Sequence, residues 1–126
     1  MLSTIGLDWT ESMLDAAHAM LTSAQENQAH LALLTDISVA CGSQVIYRGA
    51  RSQGRHQAGQ GVCAALLIRH GIRVLSQRDH RTLDNIVSKL DPTHRPDPGA
   101  RDQHETKWFI DTFGSTPGHA LDREAR

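Results

Sequence analysis

Cysteines, aromatic side chains, lysines and long apolar runs are all scarce in this chain, and each scarcity removes a class of protein. The two cysteines, Cys41 and Cys63, stand without a C-x-x-C spacing. Such a pair fits a reducing cytoplasm better than a disulfide scaffold. No apolar run approaches the ~20 residues needed to span a bilayer. The N-terminus, Met-Leu-Ser-Thr-Ile-Gly-Leu-Asp-Trp, lacks the basic start and apolar core of a secretory signal. No G-x-S-x-G, Walker A or paired-carboxylate motif occurs, so the sequence assigns no catalytic residue. His70, His80, His94 and His104 have no helical ligand spacing and no cysteine partner, so neither a metal site nor a cofactor is expected.

What is present is a charge segregation hidden by a net charge of −1. Residues 1–43 carry five acids (Asp8, Glu11, Asp15, Glu26, Asp36) and no Lys or Arg. Residues 44–81 carry seven arginines against Asp79 alone. The basic third centres on Tyr47–Gly61, where Arg48, Arg51, Arg55 and His56 are interleaved with glycines. Arginine forks suit phosphate and carboxylate, and glycines free backbone N–H groups for an anion. The same arginines could instead pair with the acidic first third.

Along the chain, Asp8 and Glu11 have capping-box spacing and open an acidic helical part over 8–34. Trp9, Met13, Ala16, Met20, Ala24, Leu31 and Leu34 form its apolar stripe, interrupted at Asn27-Gln28. Ile37 to Arg48 alternates with Gly42-Ser43 at its centre, the pattern of a hairpin turn. Val62–Ile68 is apolar all round and stops at Gly71, then Ile72–Leu75 reads as a strand. Strand, loop, buried helix and strand admit a βαβ unit. Ser76-x-x-Asp79 starts a further helix carrying Leu83, Ile86, Val87 and Leu90, which ends before Pro92. A Pro-rich spacer occupies 91–104. Trp108, Phe109 and Phe113 follow it, either docking on the core or anchoring a partner chain. Residues 115–126 read as a flexible tail.

Two local resemblances arise. Leu34–Arg48 resembles the DNA-reading segment of tetracycline-repressor-like regulators, which implies a helix-turn-helix. His56-Gln-Ala-Gly-Gln-Gly61 with the following helix resembles the pyrophosphate loop of GNAT-type N-acetyltransferases. That likeness implies acetyl-CoA as cofactor, with Gly59 and Gly61 as a phosphate loop.

The expectation is one α+β domain over 1–114: a small sheet with a β-hairpin and a βαβ unit, packed by three or four helices. Its leading function is non-enzymatic recognition of nucleic acid or a nucleoprotein by Arg48, Arg51, Arg55, His56, Arg78 and Arg81. A phage- or plasmid-type regulator in the cytoplasm, with homodimerisation open, fits that size. The alternatives are the acyl-CoA transferase and a protein adaptor or inhibitor using Trp108, Phe109 and Phe113.

Overall fold

The computed structural model describes residues 8–49 and 53–114. Residues 1–76 and 77–126 form two compact units. The first contains α1 (Thr10–Glu26), β1 (Leu31–Leu34), β2 (Val45–Tyr47), β3 (His56–Ala58), α2 (Val62–Arg69) and β4 (Arg73–Ser76). The second contains α3 (His80–Leu90), a one-turn 3-10 helix (Gln103–Glu105) and α4 (Lys107–Phe113). The class is α+β, with four α-helices and two two-stranded sheets among the described residues.

The first helix is shorter than its apolar stripe suggests. It ends at Asn27, whose side-chain amide donates to the Ser23 carbonyl at 2.8 Å, and Gln28 then adopts φ +52°. A left-handed residue breaks the helix, so Leu31 and Leu34 leave the stripe and enter β1. A four-residue apolar run satisfies helical and extended spacing equally, and pairing with β4 decides between them. The inward line of α1 is Ala17 and Leu21, with Met13, Met20 and Ala24 half-buried, whereas Ala16 faces water. Asp8 does not complete a capping box: it accepts from the N–H and hydroxyl of Thr10, at 2.9 and 2.6 Å.

β1 and β4 pair in parallel, Leu31 opposite Arg73 and Leu34 opposite Ser76, with α2 in the connection. The βαβ unit therefore exists, but its first strand is Leu31–Leu34 and not the 37–48 segment. Leu21, Leu67 and Ile72 form the buried centre, packed by Met20, Ala24, Ala32, Leu34, Leu66 and Val74. α2 ends at His70, and Gly71 follows at φ +80°, the stop its position suggested.

The hairpin is real but displaced. β2 pairs antiparallel with β3, Val45 opposite Ala58 and Tyr47 opposite His56. The Arg-rich stretch is thus its connection, and Gly42-Ser43 is not its turn. No helix lies in 34–48, which removes the helix-turn-helix reading.

In the second unit, two buried aspartates hold one another's segments. Asp79, at the N-cap of α3, accepts the Gln103 N–H at 3.0 Å. Asp102 accepts the N–H and hydroxyl of Thr82, at 2.8 and 2.6 Å. The helix start thus falls at His80, four residues beyond the Ser76 expected to cap it, because Ser76 completes β4. Asp84 binds the His94 ring and the Asp97 N–H, each at 2.5 Å, and pins the Pro-rich segment to α3.

Leu67 is 1% exposed, so Leu67→Ala should lower stability by about 2–5 kcal/mol, read in a denaturant melt. The hydrogen bond from His94, then that from Asp97, holds the Asp84 carboxyl below its ordinary 3.8. A carboxyl depressed in the folded state adds stability that is complete above the unfolded value and lost as pH falls through the folded one. Melting temperatures taken downward from pH 4 should therefore fall less steeply in Asp84→Asn than in the wild type.

Candidate functional site

Ligands of βαβ units gather beyond the carboxyl ends of the parallel strands. Here those ends are Leu34 and Ser76, and the chain leaves β1 through Thr35-Asp36-Ile37-Ser38-Val39-Ala40-Cys41-Gly42-Ser43. Serine and aspartate fold this loop on itself, as their short polar side chains favour. The Ser38 hydroxyl accepts the N–H groups of Ala40 and Cys41, both at 3.1 Å, and its carbonyl accepts the Gly42 N–H at 2.8 Å. Asp36, 3% exposed, accepts the N–H of Ser43 at 2.9 Å and its hydroxyl at 3.0 Å.

The loop is then laced to the start of α2. The N–H groups of Gly61, Val62 and Cys63 donate to the carbonyls of Gly42 (2.7 Å), Val39 (3.2 Å) and Ala40 (2.8 Å). Two glycines permit this approach. A Cβ on Gly42 would lie 2.2 Å from the Val45 carbonyl oxygen, and one on Gly61 would lie 2.5 Å from the Ala40 carbonyl. The lacing sets Cys41, half-buried on the loop, beside the buried Cys63 of α2. Burial pushes the Cys63 thiol up, and the neighbouring Cys41 thiol adds to the effect.

The residues singled out in the sequence fall elsewhere. Gly59 and Gly61 do not form a phosphate cradle, because their N–H groups donate to the carbonyls of Gln44 and Gly42. Arg48 and Arg55 are exposed at the base of the hairpin connection, and the Arg55 guanidinium contacts Gln53. His56 is half-buried against Tyr47, with ring centroids 5.5 Å apart. Arg51 lies outside the described residues.

In the second unit Arg81 pairs with Asp102 and Glu105, at 3.6 and 3.0 Å, and Arg78 sits 5.9 Å over the Trp108 ring. Both contacts serve the unit itself. Phe109 is buried, 5.0 Å from Phe113 between centroids, while Trp108 meets Phe113 edge-on at 6.0 Å and stays partly exposed. Among the described residues no three His, Cys, Asp or Glu side chains converge as a metal site, and no helix is long and apolar enough to cross a membrane.

Sequence reasoning passed over Asp36, Ser43 and the Cys41–Cys63 proximity. A signal was available: an apolar run, Leu-Ala-Leu-Leu, followed at once by a loop rich in Ser, Asp and Gly and holding a cysteine.

The family match among the comparisons with known proteins takes in this same unit. The chain is 40% identical over 74 residues to the uncharacterized protein YbbK of Bacillus subtilis (strain 168), covering 59% of this chain and 48% of that protein. Among solved structures it is similar to the 4Fe–4S-dependent thiouracil desulfidase TudS, with a TM-score of 0.62 and 36% identity. That similarity covers 70% of this chain and 58% of the other. The chain thus spans about half the length of the relatives it matches. These findings overturn the reading as a nucleic-acid-binding phage or plasmid regulator, and with it nucleic acid as the partner. They equally displace the N-acetyltransferase, whose supposed loop lies inside the matched region. A family model, described as 2-thiouracil desulfurase, matches residues 1–79, and the chain belongs to that family.

Proposed function

We propose that this chain binds a thiocarbonyl-bearing pyrimidine of the thiouracil type at the carboxyl ends of β1 and β4, with the sulfur toward Cys41. One observation carries the reading: the family match over residues 1–79 takes in β1, the Cys41 loop, α2 and β4 together. The chemistry of the loop supports it. A thiol is a weak, polarisable donor suited to a soft thiocarbonyl sulfur. Asp36 and Ser43 fix the loop that carries this thiol from below, which pre-organises it for a small planar ligand. A cytoplasmic setting goes with the reading, because a chain with two cysteines is no disulfide scaffold.

The solved relative depends on a 4Fe–4S cluster. Such clusters are ordinarily held by four cysteine thiolates. This chain has two cysteines, and its described residues gather no third ligand beside them. The donor set does not fit the cluster, so the proposed function is ligand binding and includes no desulfuration step.

Calorimetric titration with 2-thiouracil and uracil tests the proposal. The thio compound should bind about tenfold more tightly, a difference of roughly 1.4 kcal/mol. Cys41→Ser should narrow that gap without unfolding the protein. Equal binding of the two compounds, or binding of neither, would sink the reading. Asp36→Ala removes the acceptor of two hydrogen bonds, and at about 1.5–3 kcal/mol for each bond to a charged group it should lower the melting temperature. Thiouracil affinity should fall with it.

A further inference from the structure

The cluster of the relative and the thiols of this chain point in different directions, and the disagreement concerns Cys41 and Cys63 themselves. We propose that these two side chains serve one another instead of iron: they are a dithiol that closes to an intrachain disulfide, in a chain that carries no 4Fe–4S cluster. The proposal concerns the same loop as the binding site but does not depend on thiouracil binding.

Three observations on the structure carry it. First, backbone hydrogen bonds fix the juxtaposition. Cys63 donates its own N–H to the residue before Cys41, at 2.8 Å, and Gly61 donates to the residue after it, at 2.7 Å. The two cysteines are therefore held side by side by main chain, in a place where the glycines let the backbones touch. Second, the thiols are unequal. Cys41 is half-buried, whereas Cys63 is 3% exposed. That is the division between an attacking thiol and one that resolves the adduct. Third, the donor count of this chain does not fit the alternative use. Four thiolates are ordinarily needed for a cluster, and the chain holds two.

The chemistry balances with a disulfide oxidant, for which oxidised glutathione serves. The Cys41 thiolate attacks one sulfur of the oxidant, forming a mixed disulfide and releasing one glutathione thiolate. The Cys63 sulfur then attacks Cys41 Sγ, forming the intrachain bond and releasing the second glutathione. Two thiol protons and two electrons pass from the protein to the oxidant. Cys41 is the less buried of the two and burial raises the Cys63 thiol, so Cys41 reacts first and Cys63 second.

Two measurements on the full chain test this. After anaerobic incubation with ferrous iron and sulfide, followed by desalting, bound iron should be no greater than in the Cys41→Ser/Cys63→Ser double variant. After treatment with oxidised glutathione, intact-mass analysis without reductant should show the loss of two hydrogens and no retained glutathione. Cys63→Ser should instead keep one glutathione, at Cys41. Retention of about four irons per chain with matching sulfide, the content of one such cluster, would overturn the proposal. So would a wild-type chain that keeps both thiols free, or that stops at the glutathione adduct. The iron and mass readouts stand whether or not thiouracil binds, so each proposal fails on its own evidence.

Discussion

Three main-chain hydrogen bonds organise the first unit: those from Gly61, Val62 and Cys63 to the carbonyls of Gly42, Val39 and Ala40. The opening N–H groups of a helix have no partner inside it and must find one elsewhere. In many α/β proteins that partner is a ligand phosphate. In this chain it is the protein's own loop, so the start of α2 positions the chain and recruits no anion. Everything placed on the loop, including the Cys41 thiol and the buried Asp36, inherits its position from that contact. The two glycines are its steric condition, since a side chain at either would meet backbone within 2.5 Å.

The second unit obtains its order from side chains. Asp79 and Asp102 each cap a turn in the other's segment, and Arg81 and Glu105 extend the same network. A charged acceptor satisfying backbone N–H groups is among the stronger hydrogen bonds available to a protein. This compensates for a helix, α3, none of whose residues is fully buried. The aromatic trio of α4 then packs within the unit, with Phe109 at its inner face.

How much of this was legible in the sequence depended on whether a signal was local. The stop at Gly71, the helix ending before Pro92 and the α+β class were all written in short patterns. The fate of Leu31–Leu34 was not, because a four-residue apolar run is decided by a partner strand some forty residues away in sequence. Gly42-Ser43 carried a hairpin-turn pattern, yet Ser38 and Asp36 drew it into a folded loop, and only the long-range contact with α2 explains why. The arginines misled for a related reason. Composition counts charge but not partners, and Arg78 and Arg81 are engaged by an indole and two carboxylates within their own unit. The cysteines looked unrelated in sequence, and main-chain hydrogen bonding brought them together.

The β2–β3 hairpin lies between β1 and α2 as an insertion whose two feet are tied: Gly59 donates to the Gln44 carbonyl, and Arg48 to that of Arg55. Beyond those ties, Gly54 at φ +63° has no neighbour within 4 Å of where a side chain would begin. Loop-closure entropy grows only slowly with length once the ends are held. The connection between Arg48 and Arg55 is thus a place where the chain can accept a longer segment, even a small reporter domain, without disturbing the register of the strands below. This hairpin offers one route by which new surface can be acquired while the strand-end loop stays as it is.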